Sequence, residues 1–187
     1  MTSPFAFTPT ITAPVLPESD VSYAALDTAV GRLLLATAEG RLVLCAYAAG
    51  ETEEQAHLAR VAAAVSPRVL RLARPLDDAR RQVEDYLAGR RHDFDVATSL
   101  AVATPFQREV LAGLGATAYG RTTTYGELAG RIGRPRASRA VGTALGGNPL
   151  CLVLPCHRVL PAGGGIGGYA GGPAAKEKLL TLEATAG

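Results

Sequence analysis

The sequence predicts an α+β protein in two parts: a small mixed α/β unit over residues 21–98, then a mostly helical unit with a helix-turn-helix over residues 103–187. Three observations predict it. Two apolar runs, Gly31–Thr37 and Leu42–Tyr47, flank the turn-favouring pair Glu39-Gly40 and read as a hairpin. Thr104-Pro-Phe-Gln107 and Thr124-Tyr-Gly-Glu127 each carry the capping-box signature of a helix start. Beyond residue 103 the chain turns to short helical patterns separated by glycine-rich stretches.

Taken in order, residues 1–20 mix Pro, Thr and Ser without periodicity, which predicts a flexible tail, with a segment packed along the surface as the alternative. Tyr23–Leu26 adds a third strand to the hairpin. Glu51–Val65 reads as a helix with an acidic first turn and a stop at Ser66-Pro67. Val69–Leu72 reads as a short strand. In Leu76–Ala88 the residues Leu76, Ala79, Val83, Tyr86 and Leu87 share one stripe, and Gly89 follows as a stop. Pro105 opens a helix running to about Leu114, and Thr124 caps one running to Ile132. Gly133 and Pro135 then separate the latter from Ala137–Leu145, which gives two short helices joined by a tight turn. The second helix is nearly bald, with Ala137, Ala140, Gly142, Thr143 and Ala144, and Arg139 stands out from it. A helix with so little bulk approaches another backbone closely, whether DNA or another part of the protein. Leu150–Leu154 reads as an apolar strand leading into Pro155-Cys156-His157-Arg158-Val159.

Composition narrows the function classes. The 187 residues are 48% hydrophobic and 19% charged, as in a globular domain or two small domains with a shared core. No apolar run approaches the ~20 residues of a membrane helix, and no basic-then-apolar leader opens the chain. Three cysteines, Cys45, Cys151 and Cys156, cannot all pair, which suits a reducing compartment and predicts a cytoplasmic protein. The formal charge of +2 divides unevenly: residues 1–103 hold 10 basic and 13 acidic residues, giving −3, and residues 104–187 hold 9 and 4, giving +5. The second half is therefore the better candidate for meeting a polyanion.

The chemistry gathers around Cys156. A thiolate is the nucleophile, and an unperturbed thiol is only a few per cent ionised at neutral pH, so Cys156 needs a base and a favourable neighbourhood. His157 supplies a base, but neighbouring side chains on an extended chain face opposite ways, which leaves a bridging water between them as an option. Cys45 and Cys151 suit buried structural thiols, and His57 and His92 read as surface residues without partners. A zinc site made of Cys151, Cys156 and His157 lacks a fourth ligand nearby. Gly163–Gly168 formally satisfies G-x-G-x-x-G, but no helix opens directly on it, which argues against dinucleotide binding and for a surface loop.

The PCHRV string of residues 155–159 follows RAVG (139–142) and GNP (147–149), and precedes GYAGG (168–172) and KEKLL (176–180). In this order and spacing, from about Thr104 to Glu183, it resembles the O6-alkylguanine-DNA alkyltransferases, also called methylated-DNA–protein-cysteine methyltransferases. The likeness over residues 20–98 is looser, and Ala116–Gly120 departs from the bulkier residues or proline usual there. The resemblance implies a ribonuclease-H-like amino-terminal sheet and a winged-helix-like domain bearing the reactive cysteine. It implies DNA repair by direct reversal: the alkyl group of O6-alkylguanine passes irreversibly to Cys156, once per molecule, with O4-alkylthymine open as a second substrate.

The same resemblance assigns roles. Cys156 accepts the alkyl group, relayed through water to His157 and on to Glu183, which lies 27 residues after Cys156. Asn148 holds the turn beside the reactive segment. Tyr125 crowds a phosphate and hydrogen-bonds the extruded guanine. Tyr169 shapes the pocket and the Ala170 N–H faces the guanine O6, while the carbonyls of Cys156 and Val159 accept from the exocyclic amine. Arg139 fills the gap left in the base stack, and Arg131, Arg134 and Arg136 are available for phosphates. The partner is double-stranded DNA entered from the minor groove by a monomer, with no cofactor, metal or membrane. Three rivals remain: a lesion-binding relative without transfer, a transcription factor using the same helix pair, and a Cys-His hydrolase.

Overall fold

A computed structural model describes residues 21–185, so the tail expected over residues 1–20 lies outside the described residues. The hairpin forms as its pattern predicts. Strands β1 (Val21–Thr28), β2 (Gly31–Ala38) and β3 (Arg41–Tyr47) run antiparallel in succession, and β4 (Val69–Arg71) adds parallel to β1, giving the order β3-β2-β1-β4. Glu39 and Gly40 both take positive φ, 51° and 69°, the geometry that matches a two-residue hairpin to the strand twist. The run Leu33–Ala36 is apolar throughout because both faces of the sheet are covered. Leu33 and Leu35 face one core with Val83 and Tyr86, while Leu34 and Ala36 face another with Leu58 and Val61. Each such fully buried leucine contributes about 1.5–3 kcal/mol.

Helix α1 (Glu51–Ala64) carries Glu51, Glu53 and Glu54 in its first turn and buries Leu58 and Val61 on the sheet. Helix α2 (Asp77–Leu87) buries Ala79, Gln82, Val83 and Tyr86 on the opposite face. In the second half, α3 (Pro105–Gly113) and α4 (Tyr125–Arg131) both begin with complete capping boxes, closed by Thr104 with Gln107 and by Thr124 with Glu127. Helix α5 (Ser138–Gly146) follows α4 after a turn in which Gly133 adopts φ 71° and Arg134 N–H bonds Ala129 O at 2.8 Å. That left-handed residue ends α4 at low steric cost only as glycine. Val110, Leu111, Leu114, Leu128, Val141 and Leu145 form the core of this helical part.

The strand expected over Leu150–Leu154 does not form. Only Leu150 makes a bridge, to Cys45, and the chain then turns. Asn148 is the cause: its Oδ1 accepts the Leu150 N–H at 3.0 Å, and its Nδ2 donates to Leu154 O at 2.9 Å. Leu154 N–H bonds back to Leu150 O at 2.8 Å, and Leu152 takes φ 71°. The segment is tied to the sheet instead, with Cys45 N–H on Pro149 O and Cys151 N–H on Cys45 O, each at 2.7 Å. The outer edge of β3 is thus capped by the segment that carries the reactive turn.

Of two further elements, the first was not apparent in the sequence, and the second contains the helix expected at KEKLL. A short parallel ladder pairs β5 (Thr123–Thr124) with β6 (Val159–Leu160), which fixes the start of α4 beside the end of the PCHRV segment. Helix α6 (Gly172–Ala184) buries Ala175, Lys176, Leu179 and Glu183. Ala175, Leu179, Leu150 and Leu152 enter the same apolar core as Leu33, Leu35 and Tyr86, so the core continues across residues 99–102.

Candidate active site

Cys156–Arg158 forms a single 3-10 turn rather than extended chain, so alternation of facing does not govern this segment. Cys156 reaches a cavity of about 380 Å³ lined also by Tyr125, Gly142, Leu145, Tyr169 and Ala170. A second cleft of about 450 Å³, lined by Tyr125, Ser138, Arg139, Gly142 and Ala162, adjoins it through Tyr125 and Gly142. Gly142 of the bald α5 lines both hollows beside the Tyr125 ring. Tyr169 is held edge-on by Tyr47, with ring centroids 5.4 Å apart and the hydroxyls 3.4 Å apart. Gly171 permits this: a Cβ there would lie 2.5 Å from the Tyr47 ring.

Behind Cys156 lies a buried polar network. His157 is fully buried, and its Nε2 lies 2.6 Å from Glu183 Oε1. Arg158 donates from Nε to Glu183 Oε2 at 2.9 Å, and from its terminal nitrogens to Glu183 Oε1 at 3.1 Å and Thr117 O at 2.8 Å. The Tyr86 hydroxyl donates to Glu183 Oε1, and Gly120 N–H donates to Oε2 at 3.0 Å. Burial would raise the Glu183 carboxyl, but the bonds from His157 and Arg158 outweigh it and hold the group at about 2. Burial holds His157 below its ordinary value despite the glutamate, so the ring is neutral. An ionised Glu183 accepts from Nε2–H, which leaves Nδ1 as the basic nitrogen. Nδ1 is buried and meets no protein hydrogen-bond partner among the described residues. That is the arrangement of a base ready to take a proton.

Asn148 Nδ2 donates to Cys156 Sγ at 3.1 Å, joining the turn to the thiol. Lys176, fully buried, donates to Val159 O at 2.7 Å. Burial lowers its ammonium from the ordinary value. Val159 O therefore already holds one donor, and its second lone pair is the one left for a ligand. Burial raises the Tyr125 and Tyr169 hydroxyls, which keeps both as neutral donors.

The remaining arginines part company. Arg139 and Arg136 are exposed on and beside α5. Arg131, also exposed, donates to Thr117 Oγ1 and Thr123 Oγ1 at 2.8 and 3.1 Å. Arg134 pairs with Glu109 at 3.0 Å and lies over the Phe106 ring. Neither is free in the way that a position beside the turn suggested. His57, read from sequence as partnerless, has Nε2 3.1 Å from Tyr47 O, and exposed His92 stacks on Tyr119 at 4.2 Å. Among the described residues no set of three or more His, Cys, Asp or Glu side chains is gathered as a metal site.

Sequence reasoning missed Tyr86, Lys176 and the organising role of Arg158. A signal existed for Lys176: it falls with Leu179 and Glu183 on one stripe of α6, and a charge on a buried stripe needs a partner. Tyr86 gave none, because its pattern is that of any core aromatic.

Residues 105–185 match the family model described as 6-O-methylguanine DNA methyltransferase, DNA binding domain. The methylated-DNA–protein-cysteine methyltransferase of Methanosarcina acetivorans is 49% identical over 106 residues, which cover 57% of this chain and 67% of that protein. Its namesake from Salmonella typhimurium is 47% identical over 102 residues, covering 54% and 60%. The crystal structure of Mycobacterium tuberculosis O6-methylguanine methyltransferase superposes with a TM-score of 0.75 at 34% identity, over 89% of this chain and 94% of that one. The chain belongs to this family. A structure of the same mycobacterial protein in complex with DNA aligns equally well, over 88% of this chain. That of the methyltransferase from Pyrococcus kodakaraensis reaches a TM-score of 0.64 at 28% identity. The curated matches span 60 to 67% of their relatives' length, whereas the mycobacterial structure matches nearly end to end, sheet included. The α+β architecture expected from sequence is the architecture of the family.

Proposed function

We propose that this family member repairs DNA by moving the alkyl group of O6-alkylguanine onto Cys156 Sγ, irreversibly and once per molecule. The observation that carries this reading is a thiol opening into a base-sized cavity, with a neutral histidine–glutamate pair fully buried behind it. Repair of double-stranded DNA by a monomer working in a reducing cytoplasm suits the free thiols, and no helix among the described residues is long and apolar enough to cross a membrane.

The alkyl carbon is out of reach inside a duplex, so the nucleotide is rotated out at a cost of a few kcal/mol. Arg139, exposed on α5 at the outer cleft, fills the stack from the minor groove. Arg136 and the cationic faces of Arg131 and Arg134 supply phosphate attraction. The extruded base enters between Tyr125 and Tyr169, with its O6 toward the Ala170 N–H and its amine toward the carbonyls of Cys156 and Val159. The thiol proton passes by water to His157 Nδ1, and Glu183 stabilises the imidazolium. Sγ then bonds the alkyl carbon, the carbon–O6 bond breaks with its electron pair on the guanine, and Tyr125 donates toward the leaving base. O4-alkylthymine fits the same chemistry as a smaller ring. The thioether has no leaving group that a cellular thiol displaces under ordinary conditions, which makes the protein its own terminal acceptor.

The test is intact mass with peptide mapping after mixing the protein with an oligonucleotide carrying one O6-methylguanine. One methyl on Cys156 at a one-to-one plateau is expected; repair beyond one equivalent, or lesion binding with no mass change, rejects the reading. Two further outcomes are expected. Arg139→Ala should slow transfer from duplex about tenfold or more, while binding to undamaged duplex falls only as one phosphate-range charge requires. Equal losses in the two assays would remove Arg139 from the stack. Methylated protein should melt below the free form, because added carbon in a packed site costs about 1–3 kcal/mol, and calorimetry of both forms measures it.

A further inference from the structure

We propose that Tyr47, a residue of the amino-terminal sheet, sets which alkyl groups the site accepts by buttressing the pocket wall Tyr169 from behind. The substrate side of this inference rests on the repair reading; the buttress itself rests on geometry. Tyr169 lines the cavity that Cys156 reaches, yet the loop that carries it has little stiffness of its own. Five of the six residues 163–168 are glycine, which leaves few side chains to pack. Two bonds hold the backbone around the wall: Gly172 N–H donates to Tyr169 O at 3.0 Å, and Lys176 Nζ donates to Gly168 O at 3.4 Å. Neither holds the ring. The ring is met edge-on by Tyr47, at 5.4 Å between centroids, and by the fully buried His157 at 6.3 Å.

Tyr47 suits this role because it belongs to the sheet and not to the loop. It ends β3, pairs with Leu33 in the antiparallel ladder, and packs against both the sheet core and the helical core. Its carbonyl lies 3.1 Å from His57 Nε2. Its ring fills the space between the start of β2 and the loop: a Cβ on Gly31 would lie 3.5 Å from it, and one on Gly171 only 2.5 Å. The ring nevertheless stands outside the cavity lining, so Tyr47 is a positioning residue that acts through Tyr169.

An edge-on aromatic pair favours one mutual placement of its rings, and a packed interior has no void for a side chain to enter. With Tyr47 in place, Tyr169 cannot retreat toward the sheet, and the pocket stays narrow on that side. A smaller residue at position 47 leaves a void directly behind the wall. Tyr169 then yields to a bulky alkyl group, while a methyl group gains nothing from the added room.

The test reads two size ratios at Cys156 in the full chain, by rate and peptide mass. The first compares single-turnover transfer from duplexes carrying O6-benzylguanine and O6-methylguanine. The second compares alkylation by N-benzyl-iodoacetamide and iodoacetamide, in which the Sγ–carbon bond forms as iodide leaves and no base is recognised. Tyr47→Ala should raise both ratios by about tenfold, the scale on which an apolar pocket separates groups of slightly different bulk. Tyr47→Leu carries the same direction should the alanine variant fail to fold. Tyr47→Phe keeps the ring and should restore most of the wild-type ratio. Unmoved ratios, equal losses for small and bulky groups, or a phenylalanine variant that behaves like alanine overturn the proposal. A shifted haloacetamide ratio with no transfer from either lesion by the wild-type protein would leave the buttress standing and reject the repair function.

Discussion

Cys156→Ser is expected to lower alkyl transfer by on the order of a thousandfold or more, because a hydroxyl is far less acidic than a thiol and its oxygen a poorer nucleophile than thiolate sulfur at an alkyl carbon. The change is nearly isosteric, and Asn148 Nδ2, 3.1 Å from the sulfur, finds an oxygen acceptor in its place. The fold and the affinity for a duplex bearing O6-methylguanine should therefore survive. Gel shift with the lesion duplex and mass analysis of the same sample check both halves together. Loss of binding along with transfer would make Cys156 a structural residue, and the assignment of the acceptor would fall with it.

Glu183→Gln carries the largest expected effect on stability. The carboxylate is 1% exposed and receives His157, Arg158, Tyr86 and Gly120. Without its charge the Arg158 guanidinium, 7% exposed, is left as a buried cation without a counter-ion, a loss of the kind that typically costs 3–5 kcal/mol, here about that much. A chain of this size should then melt roughly 6–20 °C lower. Transfer should slow as well, since the amide no longer stabilises an imidazolium. Tyr86→Phe is the graded control: it removes one donor and leaves the ion pair, so its melting loss should stay near about 1 kcal/mol.

The same network sets the acid limb of stability. Glu183 sits at about 2 in the fold, below the unfolded carboxyl, so its contribution is complete above roughly pH 5 and is lost as pH falls through about 2. His157 acts in the same sense. Its folded value is depressed, so the unfolded chain binds the proton first and stability drops as pH falls below about 6.5. Denaturant midpoints measured from pH 7 to 3 should decline in wild type and flatten between pH 5 and 3 in Glu183→Gln. Parallel slopes would mean that the carboxyl is not the titrating group.

Local rules carried much of the fold. The Glu39-Gly40 hairpin, the capping boxes at Thr104 and Thr124, and the stop at Gly89 all depend on residues within a few positions of one another, and all formed. The expectation that failed, a strand at Leu150–Leu154, failed for a local reason of another kind. An apolar run reads alike as strand or buried turn until the Asn148 side chain takes two backbone partners. The relay was only half legible. His157 and Glu183 were named through motif and spacing, whereas Tyr86 was invisible as a participant because its partner is 97 residues away, and Lys176 showed only as a charge on a buried stripe, with its partner 17 residues off unnamed.

What the sequence determined by itself is the chemistry on offer: a cysteine followed by a histidine, a bald helix bearing one arginine and joined at a glycine to the helix before it, and two capped helix starts. These are properties of side-chain type and short spacing, which backbone geometry translates almost directly. The tertiary structure alone decided which groups meet. It closed the β3 edge with the segment ahead of Cys156, laid α6 so that Glu183 reaches both His157 and Arg158, and aimed the Asn148 amide at the Cys156 sulfur. Those contacts arise from packing one core across residues distant in sequence, where burial forces each polar group to find a partner and no local pattern names it in advance.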